Sequence, residues 1–420
     1  MSDNALTVDQ IDISSREFWG RPWAERDAAF ATLRRERPIA FFDEPVIEAI
    51  PPGPGYWAIT RHADIIEISR NPEVFSSAAG AVSILDLPQE MSEFFGSFIS
   101  MDDPRHAHLR KIVSGTFTPR MLDKILADVE RVAIDIVAGV AGKGEIDLVT
   151  EVASPFPLLV ICDMMGIPES QQQMVLEQSN IILSGADPEF IPEGTDPVAA
   201  FLGAGALLEG LLNELAANRR AEPTDDLLSA LVNTDVDGER LTQQELASFF
   251  ILLAVAGNET TRTATSHGVA HLGANPDQRA IWMADVDGVT PTAVEEIVRY
   301  ASPVVWMRRT LTRDHVVSGH QFHEGDKVLL FYGSANRDDA VFADPDRFDV
   351  RRDPNPHVGF GGPGPHFCLG AHLARRELGL IFREMFRQLP DLELAGPPDQ
   401  LHSSFINGIK HLPVRFTPTT

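Results

Sequence analysis

Cysteine is nearly absent from this chain: Cys162 and Cys368 are the only two in 420 residues. They form no CxxC pair, and nothing in their placement builds a disulfide scaffold. Cations are scarce as well. The 35 Lys and Arg against 61 Asp and Glu leave a formal net charge of −26, which argues against nucleic-acid binding and against adhesion to anionic membranes. Long apolar runs are missing, since stretches such as Phe249–Gly257 are too short to span a bilayer. The opening M-S-D-N-A-L-T-V-D-Q has no basic n-region and no apolar h-region, so a cytoplasmic protein without a membrane anchor is expected, with residues 1–17 as a flexible segment. No repeat and no low-complexity linker divides the sequence. What is present is 44% hydrophobic content, enough for a large core.

The most informative stretch is Val358–Arg376, V-G-F-G-G-P-G-P-H-F-C-L-G-A-H-L-A-R-R. Cys368 sits between a Gly/Pro loop, where backbone can approach a partner closely, and a run with apolar residues at helical spacing (Leu369, Leu373, Leu378, Phe382, Phe386). A sulfur near a helix N-terminus is favoured as a thiolate, hence as a nucleophile or a metal ligand. Three other readings compete. Gly359, Gly361 and Gly364 spell G-x-G-x-x-G, but no buried strand precedes them and too little chain follows for a βαβ fold. His366, Cys368 and His372 lack a fourth zinc ligand at the usual spacing. An inert core cysteine is the commonest fate of the residue, yet would not need such a loop before it.

Upstream, Phe18–Arg37 reads as a helix, Pro38–Phe42 and Tyr56–Thr60 as strands around P-P-G-P-G, and His62–Arg70 as a helix. Gly80–Met101 reads as a long irregular loop, apolar enough either to cover a ligand or simply to pack on the core. In D-D-P-R-H-A-H-L-R, Asp103–Pro104 is a turn, and His106 and Arg110 share a helix face. Residues 121–220 are mostly helical, with breaks at Ser154–Pro157, Gly166–Pro168 and Ser184–Pro197.

Thr242 and Glu245 form a capping box that opens a helix running to Asn275–Pro276. At about 1.5 Å per residue it is roughly 50 Å long. Its middle, A-G-N-E-T-T-R, contains Glu259 and Thr260 and is rich in poor helix formers. Threonine hydroxyls bonding back to i−4 carbonyls are the structural explanation for such a run. Thr290 and Pro291 suit the N-cap and N1 of another helix, which carries Glu296 and Arg299. A bare E-x-x-R means little, because Glu67/Arg70, Glu259/Arg262 and Glu384/Arg387 share the spacing. The runs V-V-W-M-R-R-T-L-T and Lys327–Phe331 read as strands, and Leu401–Phe416 as a hairpin with Phe405 and Ile406 near its tip.

Together these motifs resemble cytochrome P-450, the haem-thiolate monooxygenases. F-G-G-P-G-P-H-F-C-L-G resembles the family's haem loop, with one extra residue between Phe360 and Cys368. A-G-N-E-T-T matches its A/G-G-x-D/E-T signature, and E-E-I-V-R-Y its E-x-x-R. The resemblance covers about Phe18 to Phe416. It implies a mainly α fold with a small β-rich side (α+β), a single-domain triangular prism over 1–420. It implies haem b (iron protoporphyrin IX) with Cys368 as axial thiolate and metal ligand, beside His366 and Phe360. His106, Arg110 and Arg309 would hold the propionates, because arginine–carboxylate pairing is strong, while Arg308 would face the other way. Glu259 and Thr260 would manage proton delivery to dioxygen. Glu296 and Arg299, with Arg347 of P-D-R-F as third partner, would support the proximal side.

The extended loop, A-G-N-E-T-T-R and E-F-F-G-S-F-I-S-M-D-D-P-R-H resemble an actinobacterial subgroup that hydroxylates terminal methyl groups of methyl-branched lipids and cholesterol-type side chains. The substrate expected is therefore a methyl-branched fatty acid or isoprenoid, oxidised at its ω end, with a sterol as runner-up. By position its pocket is lined by Phe95, Ile99, Leu252, Val255, Ala256, Val304 and Phe405. The chain has no flavin or nicotinamide domain, so electrons are expected from a ferredoxin and its reductase, docking at Lys111, Arg375 and Arg376. A haem gas sensor would not need Glu259 and Thr260. A peroxide-driven peroxygenase would need no redox partner, and a cysteine hydrolase would need a basic His beside Cys368.

Overall fold

The N-terminal segment is packed from its first apolar residues onward: Ile11 and Ile13 are buried with Phe18, Trp19, Phe30 and Leu33. This corrects the expectation of a flexible 1–17 over its described part. The computed structural model describes residues 6–46, 53–183, 187, 189–191, 194–234 and 240–419. Ser15 caps α1 (Arg16–Trp19), and Pro22 separates it from α2 (Trp23–Glu36), so the single helix expected over Phe18–Arg37 is two. Strands β1 (Ile39–Phe42) and β2 (Tyr56–Ile59) pair antiparallel. Part of the turn expected between them lies outside the described residues. Next come α3 (His62–Ser69) and β3 (Phe75–Ser76).

The stretch expected as an irregular loop, Gly80–Met101, contains α4 (Gln89–Gly96) and a 3-10 turn, Ser97–Ser100. Pro88 hides this helix from a reading that treats proline as a loop residue; proline is well tolerated beside a helix start. Helix α5 (Arg105–Thr116) follows, then α6 (Pro119–Val140), capped by Thr118, and β4 (Glu145–Asp147). A π-helical turn, Val149–Ala153, leads into α7 (Pro155–Met165). Then come α8 (Glu169–Leu183), α9 (Pro197–Ala221) and α10 (Leu227–Asn233). Among the described helices, α9 alone is long and apolar enough to cross a membrane; its inner side, including Leu208, Leu212 and Leu215, is buried.

The central element is α11 (Gln243–Ala274), 32 residues opened by the expected Thr242/Glu245 capping box and stopped at Asn275. Helices α4, α7, α8 and α9 pack on it. After α12 (Pro276–Ala284), α13 (Val286–Ala301) starts earlier than expected. Its cap is Asp285, whose carboxylate accepts from the Gly288 amide, and Pro291 lies inside the helix. Thr290, expected as the cap, instead donates to the Val286 carbonyl and accepts from Trp282 Nε1.

Strands β5 (Trp306–Leu311), β6 (His315–Val317), β7 (His320–Phe322) and β8 (Lys327–Phe331) follow, then α14 (Tyr332–Ala335) and α15 (Ala371–Gln388). The chain ends in β9 (Glu393–Leu394), β10 (Asp399–Gln400), β11 (Ile409–His411) and β12 (Pro413–Arg415). The main sheet has the order β1-β2-β8-β5-β3, with β2 and β8 parallel. The remaining strands make three small sheets: β4-β12-β9, β10-β11 and β6-β7. The architecture is mainly helical with a small β-rich side. Its largest apolar cluster joins α5–α13 to α15, so α11 and α15 share one core.

Candidate functional site

The Gly/Pro loop ends at Cys368, two residues before the Gly370 cap of α15. The Cys368 amide donates to the Phe360 carbonyl (3.0 Å), and the Phe367 amide to the Gly364 carbonyl (3.2 Å), folding the loop back on itself. Glycine is required there by contact: a Cβ on Gly364 would stand 2.3 Å from the Ser69 carbonyl oxygen, and one on Gly362 2.4 Å from Ser69 Oγ. The loop is pressed onto the end of α3, which holds the sulfur in place. The extra residue leaves Phe360 beside the cysteine, with the Arg375 guanidinium 4.4 Å from its ring centre.

Cys368 is open to solvent at its own surface, but the surrounding protein still governs its charge. Burial pushes the thiol up, and the Gly370 and Ala371 amides with the Arg110 and Arg375 charges only partly offset this. A thiol held up in this way is a poor nucleophile, whereas a coordinated metal cation deprotonates it outright. Cys162 is wholly buried on α7, as expected of a core residue, with its thiol pushed up to about 12 by burial and by Asp163.

Beside the sulfur lies a group of donors with few protein acceptors. Arg309 is buried, and its one hydrogen bond runs to the neighbouring Arg308 carbonyl (2.7 Å); no carboxylate pairs with it among the described residues. Burial lowers its pKa, which Tyr332 and Asp102 partly restore. His106 sets Nδ1 3.0 Å from Asp103 Oδ1, while its buried Nε2 has no partner. Arg110 Nη2 donates to the Phe367 carbonyl (2.6 Å). His366 lies 4.3 Å from His106, ring to ring, and burial with Arg309, His106 and Arg110 drives its pKa down to about 2, so it is neutral. An open cleft lined by His106, Arg110, Lys111, Gly364 and Pro365 adjoins them. This donor set fits an anionic prosthetic group, with carboxylates for Arg309, Arg110 and His106 to hold and a metal on the sulfur. Arg308 faces away, as its register position predicts: it gathers the Ser83, Ile84 and Leu85 carbonyls and Asp86.

From Leu246 to Ala270 every residue of α11 is buried except Leu253, Val255, Ala256, Gly257 and Thr260, which mark an open side. Thr260 Oγ donates to the Ala256 carbonyl (2.8 Å), the back-bond that helix physics alone anticipates. Glu259 points elsewhere: it is buried, 3.1 Å from Arg262 Nη1 and 3.4 Å from Thr263 Oγ. Thr261 donates to Glu377 on α15 (3.0 Å), and burial raises that carboxyl to about 7. Sequence reasoning missed Glu377. Its i+4 spacing from Leu373, on the apolar stripe of α15, is the signal that would have found it.

Of the pocket residues, Leu252 is buried, and Ile99, Val255 and Ala256 are half-buried against the same core. Phe95 packs on Phe201 of α9, ring centres 4.1 Å apart, and Phe405 on Trp306 at 5.0 Å. Val304 bridges to Ile406, so the C-terminal chain lies against the start of β5.

On the other side of the loop, Arg299 and Glu296 form a bidentate pair (2.7 and 2.8 Å), with both side chains fully buried. The third member is Arg352, not Arg347. Arg352 Nε lies 3.1 Å from Glu296, while the Arg347 side chain is 62% exposed and only its carbonyl accepts from Arg299. Both arginines lie in the same P-D-R-F-D-V-R-R segment, and nothing local distinguishes the one that folds back. Arg375, expected as a docking cation, is engaged by Glu295 (2.5 and 2.9 Å). Burial pushes Glu295 up, but His357 and Arg375 outweigh it and bring the carboxyl down to about 2.

The sequence model of the Cytochrome P450 family matches residues 203–411. A methyl-branched lipid omega-hydroxylase of Mycobacterium tuberculosis is 48% identical over 415 residues, covering 98% of this chain and 96% of that protein. A steroid C26-monooxygenase of Mycolicibacterium smegmatis is 38% identical over 393 residues, 92% of this chain and 90% of that one. Among solved structures, Mycobacterium marinum cytochrome P450 CYP268A2 in complex with pseudoionone superposes with a TM-score of 0.91 at 44% identity, covering 99% of this chain and 100% of that one. The chain belongs to the cytochrome P450 family and is a monooxygenase, with the haem-thiolate cofactor that the family implies.

Proposed function

We propose that residues 1–420 form one cytoplasmic domain that binds haem b and hydroxylates the terminal methyl of a methyl-branched fatty acid or isoprenoid. The observation that carries the cofactor reading is the buried Arg309 without a carboxylate, next to the unclaimed His106 Nε2 and Cys368. The lipid reading is supported by the relative named a methyl-branched lipid omega-hydroxylase. The overall reaction consumes O2, two electrons and two protons and returns the alcohol and water. Electrons come from a ferredoxin and ferredoxin reductase.

Cys368 holds the metal, and Arg309, Arg110 and His106 hold the propionates. Neutral His366 and Phe360 pack beside them. The bound haem-thiolate supplies dioxygen activation and oxidation of the C–H bond, because an anionic sulfur ligand donates electron density to iron. Thr260 Oγ presents its hydroxyl on the open side of α11, and the buried carboxyl of Glu259, one residue before it and turned toward Arg262, is the proton source. Leu252, Val255, Ala256, Phe95, Ile99, Val304 and Phe405 supply apolar walls that exclude water and orient the chain. Glu296, Arg299 and Arg352 fix the segment leading into the loop. The electron donor docks on the cysteine side, with Arg376 rather than the Glu295-bound Arg375 as its exposed cation.

The test is a titration of the haem-loaded protein with methyl-branched fatty acids, isoprenoids and sterols, read by the spin-state absorption shift, followed by product analysis. The reading expects shifts with the branched lipids and terminal alcohols as products. Shifts confined to sterols would transfer the protein to the sterol reading, and a response to neither class would remove the lipid assignment.

A further inference from the structure

Glu259 does not stand free beside Thr260. Its carboxylate and the Arg262 guanidinium are one turn apart on α11, 3.1 Å from each other, with side chains only 4% and 5% exposed. Arg262 Nη1 is shared with Asn180 Oδ1 of α8 (2.9 Å), and the guanidinium lies 5.8 Å from the centre of the Phe190 ring, in the α8–α9 connection. Gly408 of the C-terminal chain adjoins the acid: a Cβ there would stand 3.5 Å from Glu259 Oε1, in ordinary contact. The surroundings are the apolar interior of the helical core, where an unpaired carboxylate is costly and takes up a proton instead. Burial pushes the Glu259 carboxyl up, and Arg262 is the first influence that brings it back. Glu259 and Arg262 share the spacing of a bare E-x-x-R, which sequence alone gives no reason to single out.

We propose that Arg262, fixed by Asn180, is a positioning residue for proton supply, holding Glu259 as the charged partner of an ion pair and setting the direction of its carboxylate on α11. The inference rests on the reading that Glu259 supplies protons. An acid that serves repeated turnovers must release its proton toward Thr260 and take another from solvent, cycling between neutral and charged forms. Without Arg262 the charged form loses its partner, so Glu259 stays neutral at neutral pH and its carboxyl is free to turn.

The experiment compares the parent with E259Q, R262Q, R262K and the E259Q/R262Q double variant, all haem-loaded. Two quantities are read: the pH at which the Glu259 carboxylic-acid C=O stretch disappears in the infrared, assigned by its absence in E259Q, and product formed per O2 consumed as a function of pH. In R262Q the carboxyl titrates at higher pH. Product yield falls on the order of tenfold at neutral pH and recovers as pH rises. In R262K, which keeps the charge without the guanidinium fork, titration stays near the parent and yield falls only in part. The double variant is no worse than E259Q, because both residues act through one group. If R262Q does not fold, R262K and the double variant, which removes both buried charges together, carry the same comparison. A uniform loss of yield at every pH, with Glu259 titrating as in the parent, would overturn the role of Arg262. An E259Q variant as well coupled as the parent would instead overturn the proton-supply reading itself.

Discussion

The two flanks of the cysteine loop treat charge in opposite ways. On the Glu296 side both members of the buried ion pair are claimed. Arg299 uses Nε and Nη2 on Glu296 and Nη1 on the Asn336 and Pro345 carbonyls, and Glu296 also accepts from Arg352, Asn355 and the Asp349 amide. On the Arg309 side a buried guanidinium has a single hydrogen bond among the described residues, and a buried histidine nitrogen has none. Burying a charge without a partner is costly, so a fold keeps such a site only where something else completes it. The first flank holds the chain together; the second fits the proposal that a cofactor completes it.

The comparison breaks most visibly if the claimed side is cut. Glu296→Gln or Arg299→Ala leaves an uncompensated buried charge and is expected to destabilise the protein by about 3–5 kcal/mol, read as a large fall in thermal midpoint or as loss of soluble protein. The next effect is a pH dependence in the interior. His267 is buried on α11 with Nε2 2.7 Å from the Asn407 carbonyl, and burial brings its pKa down to about 4. The unfolded chain binds that proton near pH 6.5, so stability rises with pH between about 4 and 6.5. Acidification across that window should cost about 3 kcal/mol. Denaturant titrations at several pH values should show this slope in the parent and a flatter one in His267→Gln.

On the unclaimed side the expectation reverses. Arg309→Gln should leave the chain's denaturation midpoint within about 1 kcal/mol of the parent, because it removes a buried charge that no protein acid balances. It should nevertheless speed haem loss to a scavenger protein by roughly tenfold or more, the worth of one charge-assisted hydrogen bond. A large stability loss with unchanged haem retention would erase the contrast between the flanks. The last contrast tests the third arginine: Arg352→Ala should cost about 1–3 kcal/mol, whereas exposed Arg347→Ala, the smallest effect of all, should stay within about 0.5 kcal/mol.

Local chemistry was legible wherever it lies in adjacent residues. The Thr242/Glu245 cap, the strand that carries Arg308 and Arg309 and its partner Lys327–Phe331, and the opposite facing of those two arginines follow from short-range rules. Proline and threonine misled at Pro88, Pro291 and Thr290, because each is compatible with more than one place in a helix and tertiary packing chose between them. Partnerships across long stretches of chain were not legible. Arg352 and Arg347 look alike until the loop folds back, and Glu377 and Arg262 acquire meaning only once α8, α11 and α15 are side by side. The family resemblance supplied what spacing could not, namely which cysteine, threonine and arginine are expected in one site.

The most direct measurement is the carbon-monoxide difference spectrum of the dithionite-reduced protein, with Cys368→Ser alongside. The account predicts the far red-shifted Soret band of a thiolate-ligated carbonyl haem in the parent and its loss in the variant. A histidine-type spectrum in the parent, or an unchanged thiolate band in Cys368→Ser, would contradict the assignment of the loop, and with it the reason Arg309 is left without a partner.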